Sequence, residues 1–329
     1  MEKVDFRIML TSVGVTTSLN LIKTFRNQNE YIIKLIGADI NPLSAGLHLC
    51  DKKYIVPPIT HSSYLSKILQ ICDEEKVNLL IPLYSKEILL FSKNAKIFKD
   101  NGIELLISSP ETIELCINKR KFLHFLTENN FPFPPLYETA DISKIDFSVF
   151  IKPASGSGSK NTRQIHNLTQ LRGQIRVGTE IIIQKIIKGK EYTIDLICDR
   201  KSKILAHAIR ERIEVKAGLA IKCRTIKNKL ITDLVGNLIK ILGIIGPANV
   251  QIIVDTKGTP YIIEVNPRFA AGGLPLSIIA GANFPLIILN YIKGKKVEQN
   301  DIKEGLTMIR YYQEMYFNEG EEFNNVKFI

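Results

Sequence analysis

The amino-acid sequence predicts an α/β protein that opens with a doubly wound domain and continues into a second domain. Apolar strand-like runs alternate with helical patterns over about the first 110 residues, a pattern typical of a parallel sheet covered by helices. A proline-rich segment, Phe131-Pro-Phe-Pro-Pro135, then stops helices and marks a linker. The chain has 329 residues, of which 45% are hydrophobic, so it can bury the cores of two or three domains.

Hydrophobic periodicity and turn residues define the elements of the first domain. A loop at Val13-Gly-Val-Thr-Thr follows the first strand and opens a helix that runs to about Gln28. Strands are predicted at Phe6–Leu10, Tyr31–Asp39, Lys53–Val56, Leu79–Pro82 and Glu104–Ser108. Later helices are predicted at Tyr64–Glu75 and Ser85–Asp100. Gly14 and Asp39 resemble two residues of a dinucleotide site, but the full glycine pattern is absent, so that site is not expected.

The second domain is predicted to begin with helices, followed by a small lobe of strands. Pro110 and Glu111 open a helical stretch, and Asn118 is a predicted N-cap for the helix that carries Lys119. Strands are predicted at Val149–Lys152, Glu180–Ile187, Glu191–Cys198 and Ile204–Val215, and helices at Asn228–Leu242 and Ser277–Lys293. The predicted domains are residues 1–110, residues 111–318 with a small lobe at about 135–200, and a polar tail at 319–329.

A predicted hairpin near the C-terminus carries the most informative side chains. Two β-branched runs, Ala248–Asp255 and Tyr261–Arg268, flank a short turn that contains Gly258. Pairing of Asp255 with Pro260 would place Gln251 opposite Glu264. Since strand side chains alternate between faces, Gln251, Glu264 and Asn266 would share one face, with Arg268 just beyond. These hard oxygen ligands suit Mg²⁺ that is shared with nucleotide phosphates.

A second motif combines a lysine with a glycine-rich loop. Lys152 ends a predicted strand and precedes Ser155-Gly-Ser-Gly-Ser159. Glycines let backbone N–H groups approach phosphate oxygens, and lysine supplies a compact positive charge. The alternative is a flexible surface loop beside a solvated lysine. The metal hairpin downstream favours the phosphate site.

In their order along the chain, these motifs resemble those of ATP-grasp enzymes. The nearest likeness is to the synthetase domains of the carbamoyl-phosphate synthase large subunit and to small carboxylate–amine ligases. It covers roughly Lys119 to Tyr291, and it includes an adenine hinge at Gln184-Lys-Ile-Ile-Lys-Gly-Lys-Glu191. Two departures are Gln184, where a glutamate is common, and Gln251, where many relatives have an acid.

The resemblance implies a two-lobed ATP-grasp domain that binds ATP with Mg²⁺ or Mn²⁺. The implied nucleotide-binding residues are Lys119, Lys152, Ser155, Gly156, Gly158, Gln184, Lys185, Ile187 and Glu191. The implied metal ligands are Gln251, Glu264 and Asn266. Arg268 and Lys152 would act on the transferring phosphoryl group. The alternatives are a solvated helix lysine at Lys119 and an exposed strand acid at Glu191.

Candidate substrate residues lie outside the nucleotide set. Arg210 and Arg212 begin a variable stretch after the hinge strands, and arginine is a bidentate partner for carboxylate or phosphate. The alternative is an exposed strand with paired charges. Gly272 and Gly273 would let substrate approach the backbone, or would only cap a turn.

The expected activity is that of an ADP-forming carboxylate–amine ligase with an acyl phosphate intermediate. Bicarbonate activation, as in carbamoyl-phosphate synthase or a carboxylase, is the enzymatic alternative. A non-catalytic ATP-binding regulatory protein is the other. The expected partners are a small-molecule carboxylate and an amine, and a homodimer is compatible with this class.

Bulk properties narrow the classes of partner and the location. The net charge of +11 favours anionic partners, but the basic residues are scattered, so nucleic-acid binding is not favoured. Five widely spaced cysteines without a CxxC pair argue against a zinc site or a disulfide framework. No signal peptide or membrane-spanning run is evident, and a cytoplasmic location is expected.

Overall fold

The first domain is a parallel sheet with helices on both faces. The computed structural model describes residues 4–137, 145–154, 162–174, 180–297 and 301–316. The strands are β1 (Phe6–Thr11), β2 (Ile33–Asp39), β3 (Lys52–Ile55) and β4 (Leu79–Pro82), in the order β3-β2-β1-β4. The helices are α1 (Thr16–Arg26), α2 (Tyr64–Glu74), α3 (Ser85–Lys93) and α4 (Ala95–Asp100). The predicted doubly wound fold is therefore confirmed.

Alternation along β1 explains why both faces of this sheet are covered. Ile8 and Leu10 pack into the cluster that contains α1, whereas Met9 packs into the cluster that contains α2 to α4. A strand that is apolar on both faces needs helices on both sides. The strand order changes direction between β1 and β4, so the loops after these two strands leave the carboxyl edge of the sheet in opposite directions, the place where α/β sheets commonly bind ligands.

Two predicted elements of this domain are wrong in detail. The run at Glu104–Ser108 forms only an isolated parallel bridge between Leu79 and Glu104. The helix expected over Ser85–Asp100 is interrupted at Asn94, whose side-chain amide donates to the Leu90 carbonyl at 2.8 Å. Asparagine is a poor helix former because its side chain competes for backbone hydrogen bonds in this way.

The second domain contains two antiparallel sheets. After α5 (Pro110–Ile117) and α6 (Lys119–Glu128), the smaller sheet has the order β5-β8-β6-β7. Its elements are β5 (Leu136–Tyr137), β6 (Val149–Pro153), β7 (Arg163–Ile165), α7 (Leu168–Arg172) and β8 (Ile181–Lys185). Asn118 caps α6 as predicted, since its side chain accepts from the Arg120 and Lys121 amides at 3.1 Å. The small-lobe sheet ends at Lys185, because the next strand belongs to the larger sheet.

The larger sheet has the order β13-β12-β9-β10-β11-β14. Its strands are β9 (Gly189–Cys198), β10 (Ile204–Lys216), β11 (Leu219–Ile226), β12 (Gly246–Asp255), β13 (Pro260–Asn266) and β14 (Thr307–Ile309). The helices α8 (Lys229–Leu242), α9 (Leu274–Ile279) and α10 (Phe284–Ile292) accompany it. Helix α8 is amphipathic, and its buried face packs on β9, β12 and β13 in one apolar cluster.

Sequence reasoning missed β5, β7, α7, β11 and β14, and it joined α9 to α10. Strand β11 alternates lysine and arginine with apolar residues, and its pairing with β10 and β14 identifies it as a strand. The helix predicted at Ser277–Lys293 breaks at Gly281, which has φ of 128°, and restarts after Asn283 caps α10.

All five cysteines are buried and unpaired. Burial raises the pKa of the Cys50, Cys72, Cys116 and Cys198 thiols to about 12. Thiolates are therefore scarce at neutral pH, and these side chains behave as small apolar core residues. Within the described residues, no helix has the length and apolar character that a membrane crossing needs.

Candidate active site

The hairpin of β12 and β13 brings the predicted metal ligands together. Gln251 pairs with Glu264, and Asn249 pairs with Asn266. Val254, rather than Asp255, pairs with Pro260, and a register shift between Gln251 and Ile252 compensates for the difference. A β-bulge of this kind adds one residue to one strand. The predicted pairing of Gln251 with Glu264 is confirmed, although the turn that leads to it differs.

The donor set on this hairpin fits a divalent cation that is shared with phosphates. The Asn266 side-chain amide donates to Glu264 Oε1 at 2.8 Å and to Asn249 Oδ1 at 3.3 Å. This fixes the Asn266 side chain so that its Oδ1 remains an acceptor, beside the Glu264 carboxylate and the Gln251 amide. Among the described residues, no cluster of three or more His, Cys, Asp or Glu side chains is present. Mg²⁺ binding with few protein carboxylates takes its other ligands from phosphates and water.

Lys119, at the start of α6, and Lys152, on β6, both lie close enough to Glu264 for its charge to act on them. Lys152 lies at the end of β6, and the Lys119 amide donates to the Ala154 carbonyl at 3.2 Å, which ties the start of α6 to that strand end. Burial lowers the pKa of both ammonium groups, and the charge of Glu264 opposes the shift in each. Two lysines and one carboxylate therefore form an electropositive cluster that suits a polyphosphate.

Lys152 is the more strongly perturbed of the two lysines. It is 7% exposed, and its ammonium group has no hydrogen-bond or ion-pair partner among the described residues. Burial lowers its pKa to about 8, while Glu264 raises it and Lys119 lowers it further. A buried cation without a direct partner is destabilising by itself. The polyphosphate of a nucleotide would supply the missing counter-charge.

This arrangement predicts proton uptake when a nucleotide binds in alkaline solution. The pKa of Lys152 is about 8 in the unliganded protein, so much of it is neutral one unit above that value. An incoming polyphosphate raises the pKa, so binding should take up most of a proton there and only about a tenth of a proton one unit below the pKa. Calorimetry of Mg·ADP binding in buffers of different ionisation enthalpy measures this uptake. Lys152→Arg, which stays charged, is the control; equal uptake in that variant would contradict the assignment.

The predicted adenine hinge connects the two sheets of the second domain. Gln184 is 4% exposed, and its Nε2 donates to the Pro134 carbonyl at 3.1 Å, which holds β8 against the proline linker. Lys185 is exposed at the end of β8, and Ile187 is half-buried in the connection to β9. Gln184 thus already has a structural partner. Ser155, Gly156 and Gly158 lie outside the described residues.

Glu191, the predicted ribose ligand, pairs with a predicted substrate residue. Its Oε1 lies 2.8 Å from Arg212 Nη1, and Arg212 Nη2 donates to the Gly218 carbonyl at 2.9 Å. Burial raises the pKa of Glu191, and the charge of Arg212 opposes that shift. Arg212 is buried, and its Nε has no partner among the described residues. The buried Nε–H of Arg212 is therefore left for a further acceptor.

Arg210, which was predicted as a substrate ligand, forms a buried ion pair with Asp195. Its Nε and Nη2 donate to the Asp195 carboxylate at 2.7 and 3.3 Å, and both side chains are 2% exposed. Ser277 Oγ also donates to Asp195, at 2.6 Å. The charge of Arg210 is therefore neutralised inside the core, because Asp195 lies on β9, which pairs with β10. This contact argues against direct substrate binding by Arg210.

Gly272 and Gly273, which follow Arg268, are in close contact with other parts of the protein. A Cβ at Gly273 would collide with the guanidinium of Arg210, and one at Gly272 would lie 2.8 Å from the Ala220 amide nitrogen. Their small size is needed for packing on β10 and β11, rather than for an approach of substrate to the backbone. Arg310, after β14, donates through Nη2 to the Gly272 carbonyl, and its Nε is also buried without a partner in the described residues.

Arg268 lies where the two domains meet. Its Nε donates to Ser85 Oγ of the first domain at 2.7 Å, and its Nη1 donates to the Phe269 carbonyl at 2.8 Å. Burial lowers the pKa of its guanidinium, and Glu264 opposes the shift. Ser85 and Arg310 were not identified from the sequence. Neither belongs to a recognisable motif, and each meets its partner only through the tertiary fold.

Gly14 and Asp39 form a local structural contact. The Asp39 carboxylate accepts from the Gly14 amide at 2.6 Å, from the Asn41 amide at 3.0 Å and from Ser44 Oγ at 2.9 Å. Asp39 thereby ties the loop after β1 to the loop after β2. Its carboxylate oxygens are engaged by these protein donors.

Comparison with known proteins agrees with this geometry. The sequence pattern of the ATP-grasp domain matches residues 116–272, and that of the PylC-like N-terminal domain matches residues 8–106. The carbamoyl phosphate synthase large chain of Thermoanaerobacter sp. (strain X514) is 26% identical over 298 residues, which are 83% of this chain and 27% of that protein. The chain thus spans about a quarter of the length of the curated relatives it matches.

Two solved structures share the fold. The biotin carboxylase domain dimer of Hydrogenobacter thermophilus 2-oxoglutarate carboxylase, with MgADP and bicarbonate, has a TM-score of 0.70 at 16% identity. That comparison covers 93% of this chain and 74% of the other. L-amino acid ligase from Bacillus licheniformis has a TM-score of 0.67 at 18% identity, and the comparison covers 89% and 75%. Residues 116–272 of the chain thus match the ATP-grasp domain, and residues 8–106 match the PylC-like N-terminal domain.

Proposed function

We propose that this protein is an ATP-dependent carboxylate–amine ligase that forms ADP and phosphate. The observation that carries the proposal is that Lys119, Lys152 and Arg268 all lie close enough to Glu264 for its charge to act on them, next to the hairpin face that carries Gln251 and Asn266. Three cations around one carboxylate form a polyphosphate site with a place for a divalent ion. A regulatory protein that only binds nucleotide would not need Arg268 beyond the lysines.

Each residue has a distinct role in this proposal. Lys119 and Lys152 bind the phosphates, and Gln184, Lys185, Ile187 and Glu191 surround the adenosine. Gln251, Glu264 and Asn266 would hold Mg²⁺ or Mn²⁺, which neutralises phosphate charge and orients the transferring group. Arg268 stabilises the charge that develops on the transferred phosphoryl group. Catalysis is then mostly positioning and charge neutralisation, as in other phosphoryl transfers.

The reaction follows from these roles. A substrate carboxylate oxygen attacks the γ-phosphorus and the bond to the β-phosphate oxygen breaks, which gives an acyl phosphate and ADP. An amine then attacks the acyl carbon, loses its proton and displaces phosphate to form an amide. Arg212 and Arg310, whose Nε atoms are buried without partners in the described part of the chain, are the proposed contacts for an anionic group of the acceptor acid.

Bicarbonate is the second candidate for the acid. The carbamoyl phosphate synthase relatives favour it, and one structural neighbour contains bicarbonate with MgADP. That neighbour is also a dimer, and a homodimer is part of the proposal. Five unpaired cysteines suit a reducing cytoplasm.

The products of ATP test the proposed reaction. A screen of amino acids and bicarbonate with Mg·ATP should release ADP and phosphate, since the carboxylate attacks the γ-phosphorus. Hydroxylamine should trap the acyl phosphate of an organic acid as a hydroxamate, whereas bicarbonate should give ADP without an acyl hydroxamate. Release of AMP and pyrophosphate would show adenylation and would contradict the mechanism.

A further inference from the structure

A residue of the first domain holds the side chain of Arg268. Arg268 Nε donates to Ser85 Oγ at 2.7 Å, across 183 residues of sequence. The backbone of Arg268 is held separately, because its carbonyl accepts from Asn249 Nδ2 at 3.0 Å. The hairpin therefore fixes the backbone position of Arg268, and the first domain constrains the position of its guanidinium group.

Ser85 is itself on a rigid support. It is the first residue of α3, and Glu87, two residues later, is 2% exposed. The Glu87 carboxylate accepts from Thr11 Oγ1 at 2.9 Å, from Ser12 Oγ at 2.6 Å and from the Tyr64 hydroxyl. These bonds connect the start of α3 with β1 and α2. A side chain on such a satisfied network can orient a neighbour to within a narrow range.

The contact leaves part of the guanidinium for a ligand. Nε is held by Ser85 and Nη1 by the Phe269 carbonyl, while Nη2 has no partner among the described residues. No carboxylate forms an ion pair with Arg268 within the described ranges. Because the guanidinium is planar, two fixed nitrogens also fix the third.

We propose that Ser85 is a positioning residue for Arg268. Its hydroxyl accepts from Nε and thereby sets the plane in which Nη2 meets the transferring phosphoryl group. The first domain would then contribute to phosphoryl transfer through a residue that touches neither ATP nor metal. This inference rests on the proposed function, which assigns the phosphoryl group to Arg268.

A binding experiment tests the proposal without knowledge of the acceptor acid. Calorimetry compares Mg·ADP alone with Mg·ADP plus aluminium fluoride, which mimics the transferring phosphoryl group. Wild type should bind the fluoride complex more tightly. Ser85→Ala should lose about tenfold of that increment and keep its affinity for Mg·ADP, because a misplaced Arg268 affects only the phosphoryl position. Ser85→Thr, which keeps the hydroxyl, should restore the increment.

A double-mutant cycle separates positioning from general damage. In an Arg268→Met background, Ser85→Ala should change the increment no further, because its effect passes through Arg268. Lys86→Ala, an exposed neighbour on α3, should behave as wild type. An unchanged increment in Ser85→Ala, an equal loss for both ligands, or an additive loss with Arg268→Met would overturn the role of Ser85.

The same measurements distinguish a failure of the proposed function from a failure of the proposed role of Ser85. If wild type shows no increment, or Glu264→Gln binds the fluoride complex as tightly as wild type, both proposals fall. If wild type and Arg268→Met respond as expected and Ser85→Ala does not, only the role of Ser85 is overturned.

Discussion

Glu264→Gln is expected to abolish most Mg²⁺-dependent turnover, with a loss of at least about a hundredfold. Glu264 is the carboxylate on the hairpin face that it shares with Gln251 and Asn266, and it faces the charges of Lys119 and Lys152. Glutamine has the same shape and can still accept from Asn266, so the fold should persist. ADP release as a function of Mg²⁺ concentration, together with thermal melting, measures both effects.

Two further variants test the same metal site: one removes a second ligand and the other is a matched control. Asn266→Ala should lower turnover in the same way, since it removes both a ligand oxygen and the 2.8 Å hydrogen bond that orients Glu264. Glu214→Gln is the matched control, because that acid is half-exposed on β10 and pairs with Lys222. Near-normal turnover in both Glu264→Gln and Asn266→Ala would remove the metal site from the hairpin.

Arg210→Met is expected to destabilise the protein by about 3–5 kcal/mol. Within the described part of the chain, it leaves the buried Asp195 carboxylate with Ser277 Oγ as its remaining side-chain donor. An uncompensated buried charge costs far more than the pair contributes, so the loss should appear as a lower midpoint in urea. Nucleotide affinity of the folded fraction should be retained, since Arg210 pairs with Asp195.

The double variant Arg210→Met/Asp195→Leu sharpens this prediction. It removes both charges and should recover much of the lost free energy of unfolding. Lys222→Met breaks the half-exposed pair with Glu214 and should change stability by less than about 1 kcal/mol. If Arg210→Met lowered the free energy of unfolding by as little as Lys222→Met, Arg210 would again be a candidate substrate ligand.

The sequence predicted what depends on local pattern. The strands of the first domain follow from apolar runs and turn residues, and the pairing of Gln251 with Glu264 follows from strand alternation and a short turn. Even there, the bulge beside Gln251 was not predictable, because nothing in the apolar run marks the extra residue. The break at Asn94 shows the same limit, since periodicity continues across it.

Long-range partners could not be predicted. Arg210 looked like a ligand residue because its partner, Asp195, is identified only by the pairing of β9 with β10. Ser85 lies in an ordinary helix start, and its importance depends on Arg268, which is 183 residues away. The glycines at Gly272 and Gly273 were noticed, but their neighbours, Arg210 and Ala220, were not evident from the sequence.

Because every native cysteine is buried, distances in this protein can be measured by energy transfer between dyes on introduced cysteines. Because the native thiols are shielded, a maleimide dye at neutral pH should react first with cysteines introduced at exposed positions. Thr169 on α7 of the small lobe and Lys240 on α8 beside the larger sheet are both exposed. A donor and an acceptor dye at these positions would report, by energy transfer, how the separation of the two lobes changes as nucleotide is added, without prior removal of any native cysteine.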